Sequence, residues 1–260
     1  MMRFIDRYFI KQPRLRRLVT RILEGDHTKN VRMLGTELCV NSIKEHGYLR
    51  ASRMVESSAL LREEIPVIIN LASIFSNGDT FVDVGANVGI YSLTFARLRR
   101  VMPDTYYYAF EASPDTFSRL KAHAEAAGVR VHNVAISDHD GTLEFIHGSV
   151  SHVFTSAENT SSYSIPSERI SLPCRRLDGF KFEGDSLVIK IDVEGQEKNV
   201  LDGAEGLFRG KRVKAVYIDG YKERSVEDFL RGFGFVLLDG KTLLPASHDT
   251  FSLLAVRRDV

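Results

Sequence analysis

The chain has 260 residues, 43% of them hydrophobic and 27% charged, with a formal net charge of +1. That balance describes a soluble globular protein with room for a sizeable core, and it offers no global positive field for a nucleic-acid partner. No run approaches the ~20 apolar residues of a membrane span. Asp6, Arg7 and Lys11 interrupt any signal-peptide core, so the cytoplasm is the expected compartment. Cys39 and Cys174 lie far apart and outside any C-x-x-C pattern, which favours buried thiols over a disulfide or a zinc site.

Residues 1–24 are basic: Arg3, Arg7, Lys11, Arg14, Arg16, Arg17 and Arg21 face only Asp6 and Glu24. Phe4, Ile5, Tyr8 and Phe9 recur at helical spacing, as do Leu15, Leu18, Val19 and Ile22, with Pro13 between the sets. Two readings stand. The segment lies peripherally on an anionic membrane or an acidic partner, or it packs on the core or on a second subunit. Residues 31–50 alternate loosely around Gly35 and Gly47 and predict a short hairpin, closing an N-terminal extension over 1–55. Glu63, Glu64 and Pro66 predict the first turn of a helix. Val67, Ile68, Leu71, Ile74 and Phe75 give it an apolar face, and Asn77-Gly78 ends it.

Phe81, Val82 and Val84 predict a first buried strand, and residues 106–110 a second. A helix follows over 115–127 with Phe117, Leu120 and Ala124 inward, stopped by Gly128. A third strand spans 129–134, and a turn at 138–141 leads into another strand at 142–146. Residues 148–170 are rich in Ser and Thr and lack a period. They read either as a lid over an acceptor site or as a mobile surface loop. Strands at 172–177, 187–191 and 213–218, a helix from Gly195 through Val200 and Leu201, and a helix over 225–231 come next. An antiparallel pair at 235–238 and 251–256 closes the chain. The class is α/β, a Rossmann-like, mostly parallel sheet with helices on both faces.

The stretch T-F-V-D-V-G-A-N-V-G-I-Y-S-L at 80–93 runs a buried strand through a glycine turn into a helix, which makes a ligand-binding crevice of an open α/β sheet. A dinucleotide fingerprint needs a middle glycine where Asn87 stands, which disfavours a nicotinamide oxidoreductase. Asp83 at the mouth of the turn suits a ligand with a positive end, whose carboxylate could rest on the N–H groups opening the helix. Glu111 ends the second strand, where an acid accepts both ribose hydroxyls. S-adenosylmethionine has those parts. The competing reading makes Glu111 a helix cap and Asp83 a buried hydrogen-bond acceptor.

With these pieces in place, the chain resembles the FkbM family of S-adenosylmethionine-dependent methyltransferases. The resemblance rests on F-V-D-V-G-A-N-V-G-I-Y-S-L at 81–93, A-F-E-A-S-P-D-T-F at 109–117, N-V-A-I-S-D-H-D-G at 133–141, and V-I-K-I-D-V-E-G-Q-E at 188–197 followed by V-L-D-G-A at 200–204. Ala112-Ser113 replaces the more usual proline-polar pair, and the fifth strand ends in Asp219-Gly220 where a glutamate is more common. The resemblance covers about residues 78–220, within a domain expected over 56–260, and implies a class I methyltransferase sheet, a hairpin inserted after residue 141, and S-adenosyl-L-methionine as cofactor. It places the cofactor against Asp83, Gly85, Asn87, Gly89, Glu111, Ala112, Asn133 and Ala135, with the adenine edge near 133–135. It also implies hydroxyl acceptors, among them glycan or glycolipid sugars and macrolide-type polyketides.

Methyl transfer to an alcohol requires an oriented nucleophile and somewhere for one proton to go. Asp192 and Glu194 end the fourth strand beside the crevice, with Lys190 on the same strand face as Asp192. These three are the candidate catalytic residues. The competing reading pairs Lys190 with Asp192 as a buried ion pair and makes Glu194 a helix cap. A magnesium ion on Asp192, Glu194 or Asp219 is a lesser alternative. His152 and His248 read as surface histidines rather than bases delivered by a lid. An O-methyltransferase of a saccharide or small molecule leads, and a catalytically silent fold acting as a binding module is the other class.

Overall fold

The computed structural model describes residues 13–53, 58–147, 154–156, 168–221, 223–247 and 249–258. The helix expected within residues 1–12, His152, His248 and most of the 148–170 stretch, with its lid reading, lie outside the described residues. Helix α1 spans Pro13–Glu24 of the described residues. Its last residue, Glu24, is bonded by Arg53 at 2.6 Å and by Lys29, which ties the helix end to the elements that follow, while Ile22 remains exposed.

Strands β1 (Thr28–Met33) and β2 (Thr36–Asn41) form the expected hairpin. Leu34 and Gly35 between them both have positive φ, 49° and 73°, as a two-residue turn of matching twist requires. The hairpin ends sooner than its alternation suggests, because Asn41 Oδ1 accepts the N–H groups of Ile43 and Lys44 at 2.9 and 2.8 Å. That side-chain turn redirects the backbone into α2 (His46–Arg53). Helix α3 (Ala59–Ile74) also differs from expectation, since Pro66 lies inside it rather than in its first turn. Ser58 caps it by accepting the N–H of Leu61, and Ala59, Leu60 and Leu61 are good helix formers, so the helix tolerates the one backbone bond that proline cannot make.

The central sheet comprises β3 (Asp79–Val84), β4 (Tyr106–Phe110), β5 (Arg130–His132), β10 (Ser186–Ile191), β11 (Val213–Asp219), β12 (Phe235–Asp239) and β13 (Ser252–Arg257). Its order is β12-β13-β11-β10-β3-β4-β5, with neighbours parallel from β11 to β5 and β13 antiparallel to both of its neighbours. The order reverses between β3 and β10, which makes their carboxyl ends the switch point where such sheets bind ligands. The closing antiparallel pair is as expected. The third strand is shorter, because Val134 leaves the sheet and β6 (Ala135–Ile136) joins a second sheet with β7 (Gly141–His147), β8 (Phe154–Ser156) and β9 (Glu168–Arg175) in the order β6-β9-β7-β8. Thus β8 falls inside the stretch expected to be loop, paired with the end of β7.

Period-two alternation sorts the core onto two sheet faces. On one, Phe81, Tyr107, Val188 and Ala215 meet Leu71 of α3, Phe75 that caps its end, Phe95 of α4 (Ile90–Ala96) and Leu120 of α5 (Pro114–Ala124). Phe81 and Phe95 stack there with ring centroids 4.0 Å apart. Val31, Leu38 and Val40 of the hairpin belong to the same cluster, so the extension and the sheet share one core. On the other face, Val82, Tyr108, Ile189 and Val216 meet Val200 and Leu201 of α6 (Glu197–Asp202), Phe208 of α7 (Glu205–Arg209) and Leu230 of α8 (Arg224–Gly232). At its carboxyl end the first face turns polar. Asp83, Lys190 and Tyr217 are register partners across β3, β10 and β11.

Candidate functional site

The site begins where β3 turns into α4. Gly85 has φ of 74°, and a Cβ there would stand 1.9 Å from the carbonyl oxygen of Asp192, so the turn can approach β10 this closely only with glycine. The N–H groups of Gly85 and Ala86 both donate to the carbonyl of Phe110 at 3.0 Å, fastening the turn to the end of β4. Asn87 takes the left-handed conformation at φ 52°, and its Oδ1 is buried without a hydrogen-bond partner. Gly89, at φ 88°, opens α4.

Glu111 follows β4 and is 8% exposed. Its Oε2 accepts the N–H of Asn87 at 2.9 Å and its Oε1 accepts that of Ser113, also at 2.9 Å. Burial pushes its carboxyl up to about 7, against the pull of those two backbone donors. The cap of α5 is Ser113, whose hydroxyl accepts the N–H of Thr116, so Glu111 is not needed for that task. Asn133 Nδ2 donates to the carbonyls of Glu111 and Ala112 at 2.8 and 3.0 Å and so shapes the bend after β4.

A cavity of about 780 Å³, its open mouth included, joins these elements. Of the residues expected to bind cofactor, Gly85, Asn87, Glu111, Ala112 and Ala135 line it, as do the candidate catalytic acids Asp192 and Glu194. Asp83, Gly89, Asn133 and Lys190 do not. Val134, within the stretch expected at the adenine edge, and Ile136 line it as well, and Leu143 and Phe145 of β7 complete an apolar wall that the sequence reading did not place here.

Asp83 is placed differently from the expectation that it stands at the mouth of the turn. Strand parity turns it with Phe81 onto the face beneath α4, where it is fully buried. Its Oδ2 accepts the N–H of Ser92 at 3.1 Å and the Ser92 hydroxyl. Its Oδ1 lies 3.3 Å from Lys190 Nζ, charge-paired although the angle makes no hydrogen bond. Lys190 donates to the carbonyl of Gly85 at 2.8 Å and stands 3.4 Å from Oδ2 of Asp192. Burial opposes its charge, but Asp83, Asp192, Glu64 and Asp219 together raise its pKa above the usual lysine value. Asp192 is 37% exposed on the cavity side, the accessible end of this chain of charges. Glu194 is exposed at φ 54°, and the turn into α6 is held instead by Glu197, whose Oε1 accepts the N–H of Gly195 at 2.8 Å. Among the described residues, no group of three His, Cys, Asp or Glu is arranged to hold a metal ion.

The lining fits S-adenosylmethionine. Each Glu111 oxygen retains a lone pair for a ribose hydroxyl, the orphaned Oδ1 of Asn87 seeks a donor, and Phe145 and Ile136 offer apolar surface to a base. The candidate donor-side charge is Asp192 rather than Asp83.

The family match agrees on the methyl donor. Residues 83–237, more than half of the chain, match the methyltransferase FkbM domain. Methyltransferase 1 of Beauveria bassiana (strain ARSEF 2860) is 25% identical over 153 residues, which are 50% of this chain and 60% of that protein, so the alignment leaves a good part of the relative unmatched. Among solved structures, the TehB-like SAM-dependent methyltransferase from Corynebacterium glutamicum ATCC 13032 Kitasato covers 82% of this chain and 97% of its own, at 14% identity and a TM-score of 0.42. The precorrin-6y C5,15-methyltransferase from Geobacter metallireducens GS-15 covers 77% and 89%, at 13% identity and a TM-score of 0.40.

Proposed function

The chain belongs to the FkbM family of S-adenosylmethionine-dependent methyltransferases, and from that membership we propose that it methylates a hydroxyl group of a saccharide or another small polar molecule. The observation that carries this reading is that one cavity is lined both by Glu111 and by the carboxylates Asp192 and Glu194. S-adenosylmethionine, when bound, supplies a methyl group already activated on a sulfonium. The protein has to hold, orient and manage a proton.

Glu111 would hold the ribose hydroxyls, with Asn87 and Ala112 shaping the turn beside it. Asp192 would orient the acceptor hydroxyl as a hydrogen-bond acceptor, with Lys190 fixing its carboxylate and Glu194 at the rim. A saccharide acceptor is favoured by Phe251, which is 65% exposed and packs over Gly220 beside Asp219. An aromatic face next to carboxylates can meet both the apolar face and the hydroxyls of a sugar. The net charge of +1 supports an acceptor other than nucleic acid, and the methyl donor's supply supports a cytoplasmic setting. Among the described residues no helix is long and apolar enough to cross a membrane.

The test is incubation with radiolabelled methyl donor and a panel of methyl glycosides and hydroxylated polyketides, followed by separation of labelled products. Label in an alkali-stable ether on a glycoside is the expected result. Label confined to polyketides would exclude the saccharide, and turnover with neither would turn attention to a binding role.

A further inference from the structure

Helix α1 carries its polar side towards the protein and its apolar side outward. Glu24, its last residue, faces the body: its side chain is 11% exposed, and Arg53 and Lys29 hold it. Ile22 stands about 160° round the helix axis from Glu24, and it is 71% exposed. Leu23 is exposed as well. The helix end cannot roll these side chains inward, because Gly25, at φ 75°, donates its N–H to the carbonyl of Arg21 at 3.1 Å. The Gly25 carbonyl in turn accepts the hydroxyl of the buried Ser42 at 2.6 Å.

The sequence makes this outward face apolar along the whole helix. By helical spacing Leu15, Leu18, Val19 and Ile22 share one stripe, with Arg14 and Arg21 on one side of it and Arg16 on the other. The described apolar side chains of α1, those of Val19, Ile22 and Leu23, join none of the hydrophobic clusters of the fold. Arg14, Arg16, Arg17 and Arg21 stand against Glu24 alone, and that acid is already neutralised from the body. Residues 1–12 add Arg3, Arg7 and Lys11 against Asp6. An apolar stripe with a cationic border therefore points away from the fold.

We propose that α1 is a docking surface for an anionic lipid bilayer, lying in the headgroup plane with Ile22 inserted and the arginines on lipid phosphates. A charged protein surface would satisfy the arginines but leave the stripe against polar groups. A second copy of the chain would cover the stripe but set two cationic borders against each other. An anionic interface takes both parts. The stripe is buried at the acyl boundary, and guanidinium groups pair with phosphates while their methylene stems stay on the apolar side. The inference is independent of the methyl-transfer reading, and its failure would leave the assignment of the cavity untouched.

The test is flotation of the full chain with vesicles of phosphatidylcholine alone or with about one-third phosphatidylserine. An arginine near an anionic surface is worth about fivefold in affinity, so binding should be at least about 30-fold tighter with phosphatidylserine. Raising salt from about 0.1 M to about 1 M shortens the screening length from about 10 Å to about 3 Å and should release the protein. Ile22→Glu, at an exposed position where folding is not at stake, should weaken binding about tenfold or more without moving the thermal melt. Arg14→Gln/Arg21→Gln should weaken it about 25-fold. Equal binding to both vesicles, binding to neither, or wild-type binding by either variant overturns the proposal. So does a chain that floats with neither vesicle and forms a dimer that Ile22→Glu dissociates, which would give the stripe to a second copy.

Discussion

Glu111 and Asn87 come from different strand ends, yet the carboxylate of the first accepts the backbone N–H of the second at 2.9 Å. The turn after β3 and the bend after β4 are thereby one rigid wall of the cavity, and the acid is aimed by the main chain rather than by another side chain. An acid so placed can serve a ligand's hydroxyls without rearranging, because its geometry is already fixed.

Glu111→Ala should weaken binding of S-adenosylmethionine by roughly 30- to 100-fold, the equivalent of about 2–3 kcal/mol for hydrogen bonds to a charged group. Calorimetry with the methyl donor checks this. An unchanged affinity would place the ribose elsewhere.

The same residue sets a pH dependence. Burial raises its pKa from 4.5 to about 7, so the carboxylate that receives ribose hydroxyls forms only as pH rises through that value. Donor affinity should therefore increase between pH 6 and pH 8. The linkage to folding has the opposite sign. With its folded-state pKa raised, Glu111 contributes stability that is full below 4.5 and lost as pH rises through about 7. Thermal melts of the ligand-free protein should show that loss, and saturating donor should offset it.

Lys190→Ala leaves the fully buried Asp83 without its counter-charge. Breaking such a pair costs about 3–5 kcal/mol, whereas replacing both partners by neutral groups is far milder. Urea denaturation should accordingly find Lys190→Ala much less stable than the double variant Asp83→Asn/Lys190→Met. Equal stability of the two would mean that the pair is solvated.

Gly85→Ala drives a Cβ to 1.9 Å from the backbone oxygen of Asp192, which cannot move without displacing β10. Gly89→Ala meets side-chain atoms alone, the tip of Leu120 at 2.6 Å and that of Leu93 at 3.3 Å. Both incur the penalty of positive φ, so the first should be the more destabilising by at least about 2 kcal/mol. Denaturation midpoints of the two variants decide it.

Asp192→Asn should spare donor binding and reduce turnover by about 100-fold, the scale of losing the group that orients the acceptor hydroxyl. Its rate with labelled donor, once an acceptor is in hand, is the measurement. Full retention of rate would remove Asp192 from the chemistry.

The parts of this arrangement legible in sequence were those encoded locally. A strand run into glycine marked the turn at Gly85, and a second run ending in an acid marked Glu111. The ligand-binding crevice was read from the succession of strand, glycine turn and helix, whereas the strand order that makes it a switch point came with the structure. The leading reading of Asp83 put it at the mouth because nearness to the turn outweighed strand parity; sharing parity with Phe81, it faces α4 as the buried hydrogen-bond acceptor of the competing reading. Leu143 and Phe145 reach the cavity only because β7 folds back over the end of the sheet, a tertiary event that no local pattern encodes. Pro66 misled for a related reason, since a helix with a good cap and a packed face absorbs a missing bond.

The most direct measurement is a crystal structure with S-adenosylhomocysteine. The ribose hydroxyls should lie within hydrogen-bonding distance of Glu111, the adenine against Phe145 and Ile136, and the sulfur on the Asp192 side of the cavity. A ligand bound away from Glu111, or a cavity that stays empty at millimolar ligand, would contradict the account.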